Sequence, residues 1–288
     1  MIPAPFEYAR AASVREAIAL LQRHGDRAKL LAGGHSLLPL MKLRLSQPEV
    51  LVDIGRVDEL RGVREEGQSV LVGALTTHDE IATSPVVRAK VPLLAEAAEQ
   101  IGDLQVRNRG TIGGALAHAD PAADYPAVVL ALDAQMECEG SAGTRTIRAA
   151  DWFVDMLTTA LRPDEILCWV RFPVQTPGQG SCYVKLPHPA SGYSLVGVAC
   201  LVTIDGSTCR QARLAITGVG PKAQRLAKVE QALAGKPLDD GTVAGAARLA
   251  ADGLEATDDL HASAEYKRHL ATVYVQRAIL KAARRAGG

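Results

Sequence analysis

Little in the sequence suits a metal centre or a nucleic-acid surface. The five cysteines (Cys138, Cys168, Cys182, Cys200, Cys209) contain no C-x-x-C pair, and their number is odd. That argues against a disulfide framework, a zinc ribbon or an iron–sulfur cluster held by this chain. The seven histidines show no H-E-x-x-H spacing, so no metal is expected. Aromatic residues are only 4%, thin for stacking bases. With 32 basic and 32 acidic residues the net charge is +0, which leaves no field for nucleic acid or an anionic membrane. The one basic run, Lys281 to Arg285, reads as a helix end with cations near the negative pole of its dipole. No apolar stretch is long enough to span a bilayer. Met1-Ile2-Pro3-Ala4-Pro5 lacks both a basic and an apolar leader region, so a cytoplasmic location is expected. Nucleotide fingerprints are missing too. Thr217-Gly218-Val219-Gly220-Pro221 offers G-x-G without a third glycine, and no lysine of Walker type follows a glycine run.

Two glycine pairs stand out instead. One is Leu31-Ala32-Gly33-Gly34-His35-Ser36-Leu37-Leu38-Pro39; the other is Arg109-Gly110-Thr111-Ile112-Gly113-Gly114-Ala115. A Gly-Gly step lets backbone N–H groups turn inward and an anion approach closely. Ser36 and Thr111 add a hydroxyl beside each pair. Read as two loops, they are expected to grip one pyrophosphate from two sides.

The 288 residues, 48% hydrophobic and 22% charged, suffice for two or three modest domains. Ser13 caps a helix with Glu16 at its third position, and Gly25 ends it. Short strands at Lys29–Ala32 and Leu51–Ile54 complete an α/β lobe over about residues 1–55. A second, α+β lobe over about 56–172 holds strands at 60–64, 70–74, 135–139, 144–148 and 165–172. Its helices follow Thr76 or Thr77, run from Pro92 to Ile101, and run from Asp120-Pro121 to about Leu132. Pro173 to Gly180 has linker composition. Three strands (181–186, 194–204, 210–217), with a hairpin at Asp205-Gly206, and three helices (223–233, 241–254, 264–284) then make an α+β domain. The expected division is 1–176 and 177–288.

Ala32 to Pro39, Thr111 to Gly114 and Ala119-Asp120-Pro121-Ala122-Ala123-Asp124 together resemble the FAD-binding medium subunits of molybdenum hydroxylases, carbon monoxide dehydrogenase among them. The resemblance runs the length of the chain, through Lys185, Gly192-Tyr193 and Ala264-Glu265-Tyr266. It implies an α+β fold: a two-lobed FAD-binding domain of the vanillyl-alcohol-oxidase (PCMH) type, then a domain with a three-stranded antiparallel sheet and helices. It also implies FAD contacts at Ala32, Gly33, Gly34, His35, Ser36, Leu37, Ile101, Gly102, Thr111, Gly114, Ala115, Asp124, Leu161, Lys185 and Tyr193. Alone, Ile101 reads as core, Asp120 as a helix cap and His35 as a brace for its turn. Ala115 replaces the asparagine or serine usual in the family; its backbone amide keeps it among the expected contacts. The family lysine reaches the flavin, and the tyrosine covers the ring.

No nucleophile elbow or carboxylate pair appears, so no catalytic residue is expected on this chain. The implied role is electron transfer. FAD here takes electrons from a small [2Fe-2S] subunit, a large subunit holds the molybdenum cofactor, and an external acceptor drains the flavin. The implied assembly is a dimer of heterotrimers. A carbon monoxide dehydrogenase-like enzyme is the first expectation. An N-heterocycle or aldehyde hydroxylase and a stand-alone FAD oxidoreductase are the alternatives.

Overall fold

A computed structural model describes residues 1–287. The chain begins with β1 (Glu7–Arg10), α1 (Val14–His24), β2 (Ala28–Leu31), α2 (Leu37–Lys42) and β3 (Val50–Asp53). The three strands form a parallel sheet in the order β1-β3-β2. Ser13 Oγ accepts from the Glu16 amide at 3.1 Å, while the Glu16 carboxylate reaches back to the Ala12 amide at 2.7 Å. Val14, Ala17, Ile18 and Leu21 then face β3 and bury. The sequence gives no sign of β1: Glu7-Tyr8-Ala9-Arg10 is an edge strand, mostly exposed, without apolar alternation.

The second lobe contains β4 (Val63–Glu66), β5 (Ser69–Gly73), α3 (His78–Thr83), α4 (Pro85–Lys90), α5 (Pro92–Glu99), α6 (Leu104–Arg107), α7 (Ile112–His118) and α8 (Tyr125–Ala131). It continues through β6 (Gln135–Gly140), β7 (Gly143–Arg148), α9 (Ala149–Trp152), β8 (Phe153–Asp155), β9 (Thr158–Thr159) and β10 (Ile166–Pro173). Five strands pair in the order β4-β5-β10-β6-β7, so β10 returns to the centre of the sheet. Val70, Val72, Val170 and Phe172 bury one face under α3, α5, α7 and α8.

The linker-like segment is pinned. The Val174 amide donates to the Gln68 carbonyl at 2.9 Å and the Gln175 amide to the Lys90 carbonyl at 2.8 Å. Beyond it come β11 (Gln179–Pro187), β12 (Ser194–Asp205), β13 (Thr208–Thr217), β14 (Gln224–Arg225), α10 (Ala227–Leu233), α11 (Asp240–Arg248) and α12 (Ala264–Ala286). The sheet β11-β12-β13-β14 is antiparallel and has four strands where three were expected; β14 is two residues long and carries no strand signal. Side chains alternate across it. Cys182, Val198, Cys200, Leu214 and Ile216 pack against the domain's own helices. Tyr183, Ala199, Leu201 and Ala215 join the core of the second lobe. Covered on both faces, β12 is buried nearly throughout. All five cysteines are free and buried, and no helix among the described residues is long and apolar enough to cross a membrane.

Candidate functional site

The end of β2 delivers Ala32 into the first glycine loop. A Cβ on Gly33 would lie 2.1 Å from the Arg109 carbonyl oxygen, so the loop can rest against the entry to α7 only because that atom is missing. Gly34 has φ +78°, the left-handed region. The first turn-closing bond runs from the Leu38 amide to the Gly34 carbonyl, 3.0 Å. Among the described residues no protein acceptor takes the amides of Gly33, Gly34, His35, Ser36 or Leu37. Five consecutive N–H groups at the head of a helix make a cradle suited to an anion.

The second glycine pair is not a loop. Thr111 is the N-cap of α7, its Oγ1 accepting from the Gly114 amide at 3.1 Å, and both glycines lie in the first helical turn. The Ile112 and Gly113 amides donate to the Thr76 and Ala74 carbonyls, and the Ala115 amide donates to the Thr111 carbonyl. Of the expected second set of donors, the amides of Ile112 to Ala115 are therefore already engaged. A Cβ on Gly113 would stand 2.4 Å from the Ala74 side chain, so this glycine serves the close packing of α7 on the chain leaving β5. The first loop thus offers most of the unpartnered amides, and from the second segment only the Thr111 amide lacks a protein acceptor among the described residues.

Both segments line a cavity of about 700 Å³ between the lobes, within the roughly 300–1,000 Å³ typical of ligand sites. Fourteen of the fifteen expected contacts lie on its wall. Ala32 to Leu37 and Thr111, Gly114 and Ala115 form one side; Ile101, Gly102, Asp124, Leu161 and Tyr193 complete it. Lys185 alone is elsewhere. His78 and Leu157 also line the cavity and went unforeseen. Leu157 has φ +53°, at the turn between β8 and β9, and is half exposed. Neither stands in a glycine-rich motif, so no local pattern points to them.

Asp120 does not cap α8. Its Oδ1 accepts from the Ala122 amide at 2.8 Å, making a tight turn. Asp124 holds the cap position without making a cap bond; instead it faces the C-terminal domain. Its Oδ1 accepts from Tyr183 Oη (2.6 Å), Ser194 Oγ (2.8 Å) and Lys185 Nζ (3.0 Å). Lys185 also donates to Asp124 Oδ2 (3.1 Å) and the Gly192 carbonyl (2.8 Å). Backbone contacts reinforce the clasp: Ser194 N donates to the Ala122 carbonyl, and Thr217 Oγ1 to the Pro121 and Ala123 carbonyls. Burial pushes the Asp124 carboxyl up from its ordinary value, against the pull of Lys185 and the two hydroxyls.

Burial also raises the Tyr193 phenol, with the Asp120 and Asp124 charges adding to it. Tyr193 as a whole is 42% exposed, at the cavity edge. His35 is exposed, whereas His78 is buried and its Nδ1 lies 3.1 Å from Tyr125 Oη. These residues fit FAD: unpartnered amides for a pyrophosphate, a carboxylate for sugar or ribityl hydroxyls, and Ile101, Leu161 and Tyr193 for a ring. The described residues hold no cluster suited to a metal ion.

The comparisons agree along the whole chain. Residues 4–175 match the family described as the FAD binding domain in molybdopterin dehydrogenase. Residues 181–282 match the CO dehydrogenase flavoprotein C-terminal domain. The chain is similar to the carbon monoxide dehydrogenase medium chain of Hydrogenophaga pseudoflava, 45% identical over 97% of both chains. It is 39% identical to the 6-hydroxypseudooxynicotine dehydrogenase complex subunit alpha of Paenarthrobacter nicotinovorans, over 99% of this chain and 97% of that one. A solved structure of the Hydrogenophaga pseudoflava carbon monoxide dehydrogenase, lacking the Mo-pyranopterin moiety, superposes with a TM-score of 0.97. It is 46% identical and covers 99% of both chains.

Proposed function

The chain belongs to the FAD-binding medium subunits of the molybdopterin dehydrogenases, and on that premise we propose how its own residues serve electron transfer in a carbon monoxide dehydrogenase-like enzyme. It is a flavoprotein oxidoreductase subunit that works beside large and small partner subunits. When bound, FAD supplies the redox chemistry, receiving electrons from a [2Fe-2S] cluster of the small subunit and releasing them to an external acceptor. The molybdenum cofactor belongs to the large subunit, and the assembly we propose is a dimer of heterotrimers in the cytoplasm. The flavoprotein reading covers 1–176 as the FAD-binding domain and 177–288 as the C-terminal domain.

The observation that carries this reading is the run of five unpartnered amides, Gly33 to Leu37, on the wall of a cavity of about 700 Å³. These amides hold the pyrophosphate without a basic side chain. Thr111, Gly114 and Ala115 pack against it through the helix start; Asp124 accepts from hydroxyls of the cofactor; Ile101, Gly102 and Leu161 flank the ring. Tyr193, standing at the rim, controls how far an acceptor reaches it. The 39% identity to a dehydrogenase of an N-heterocyclic compound keeps a hydroxylase of that class as the second reading. The difference between the two is set by a substrate pocket on the large subunit.

The test is an absorption spectrum of the purified chain, with chromatography of whatever heat releases. Flavin bands and released FAD are the expected result. Folded chain that stays colourless after incubation with FAD overturns the reading.

A further inference from the structure

Helix α2 is apolar almost all round and covered on little of its surface. It reads Leu37-Leu38-Pro39-Leu40-Met41-Lys42, with Leu43-Arg44-Leu45 after it, and Met41 alone of these nine is buried. Among the described residues no other helix or strand packs broadly against it. A helix without a polar face is normally enclosed. Here Leu38, Leu43 and Leu45 are 38%, 54% and 73% exposed. Single exposed leucines are ordinary, but three on one short element mark a contact surface. The turn that follows keeps them out. The Leu45 amide donates to the Leu40 carbonyl (2.9 Å) and the Arg44 amide to the Met41 carbonyl (3.0 Å). That is a Schellman ending, with Arg44 at φ +59° in the left-handed position that glycine favours. The residue in the place of Leu45 commonly packs back on the helix; Leu45 stays mostly in solvent. Lys42 and Arg44 stand beside the leucines, both exposed and without an ion-pair partner among the described residues.

Resting on the FAD reading above, we propose that α2 and the turn after it are the docking surface for the small [2Fe-2S] subunit. Its place in the fold argues for this partner. The inner side of α2 is cavity wall, through Leu37 and Leu40. Leu38 lies over Gly34 of the amide cradle, its Cδ1 2.8 Å from where a Cβ on that glycine would stand. A protein seated on the outer side is therefore one short helix away from the cofactor cavity. An electron donor needs that closeness; a large subunit working on its own substrate does not. The side of the cavity at Asp124 and Tyr193 is closed by this chain's own C-terminal domain, whereas the outer face of α2 is bare. The make-up of the surface fits as well. Leucines at the centre with cations at the edge suit a partner that has an apolar contact ringed by acidic groups.

Titration of the full chain with the purified small subunit tests the proposal, and the absorption spectrum of the complex reconstituted from all three subunits reports its flavin content. Leu43→Glu and Leu45→Glu are each expected to weaken binding of the small subunit about 30-fold or more, as a charge at the centre of an interface does. Both positions face solvent in the free chain, so thermal melts should match wild type. Arg44→Gly removes a cation and relieves the left-handed backbone. It is expected to melt no lower than wild type and yet to bind about fivefold more weakly, a combination that a merely structural role would not produce. Leu260→Glu, at a leucine 98% exposed on the C-terminal domain, should stay within about threefold of wild type. Should either glutamate variant fail to fold, Arg44→Gly decides. A folded Leu45→Glu chain that binds the small subunit as wild type does overturns the proposal alone. So does one that keeps the small subunit and loses the large subunit or a second copy of this chain, and so does wild type without affinity for the small subunit. A wild-type complex that assembles without flavin removes the FAD reading and the proposal together.

Discussion

His78 shows how much one buried side chain can make the molecule depend on pH. It is 5% exposed, packed against Gly110 and Tyr125 at the cavity. Burial, aided by the nearby His35 and Arg107 charges, pushes its imidazole down to about 3. The unfolded chain takes up a proton on this histidine below about pH 6.5, whereas the folded chain resists until about pH 3. Stability therefore falls as the pH drops through that window, with a slope approaching about 1.4 kcal/mol per pH unit. His78→Gln keeps a polar partner for Tyr125 but does not titrate, so its unfolding free energy is expected to vary less steeply between pH 7 and pH 4.5. Denaturant melts at four or five pH values measure the two slopes, and equal slopes would sink the assignment.

At the scale of elements, the second glycine pair separates what a sequence discloses from what it hides. Thr-Ile-Gly-Gly has the composition of a loop, yet Thr111 caps α7 and both glycines are helical. The need for Gly113 comes from Ala74, far away in sequence and 2.4 Å from where a Cβ would be; no local pattern records such a contact. Where the signal is local, the reading is close: the Ser13 and Thr77 caps and the Gly206 turn between β12 and β13 all form. So too for α12, whose apolar positions Leu270, Val275, Ala278, Ile279 and Ala282 repeat at helical spacing. β1 and β14 were hidden because their neighbours, not their composition, make them strands. Fourteen expected contacts lie on the cavity wall, but much of the rest of that wall, such as His78, Leu157 and Glu165, is brought there by tertiary packing that no local motif records. The cap gives a direct test. Thr111→Val keeps the shape and removes the acceptor for the Gly114 amide, at a cost of about 1 kcal/mol. A thermal melt should show the loss, and Thr111→Ser should recover most of it. A valine variant as stable as wild type would mean that α7 is held by Ile112 and Leu116 alone.

One core cluster spans the two domains, and an ion cluster beside it, away from the cavity wall, seats them on each other. Glu96 on α5 accepts from Lys281 (2.5 Å) and Arg285 (2.6 Å) of α12, and from the Tyr183 amide of β11 (3.2 Å). Tyr183 in turn donates to Asp124. Seating α5 against the C-terminal sheet is therefore continuous with placing the carboxylate on the cavity wall. Burial works to raise the Glu96 carboxyl, but Arg285 and Lys281 outweigh it and hold it below its ordinary value. A depressed carboxylate contributes stability that is present above its unfolded value, near 4.5, and is lost as the pH falls below it. Lys281 and Arg285 are 41% and 45% exposed, so solvent screens part of the attraction. Glu96→Gln is accordingly expected to lower stability by about 1–2 kcal/mol at pH 7. The gap to wild type should narrow below pH 4.5, as Glu96 itself becomes neutral. Chemical denaturation of both chains at pH 7 and pH 4 measures the gap, and one that is constant between the two would show that charge plays no part in the union. With Tyr183 held less firmly, the variant should also release FAD faster at pH 7, read as the rate of fluorescence recovery on dilution. Faster release without any loss of stability would place Glu96 in the cofactor site rather than at the seam between the domains.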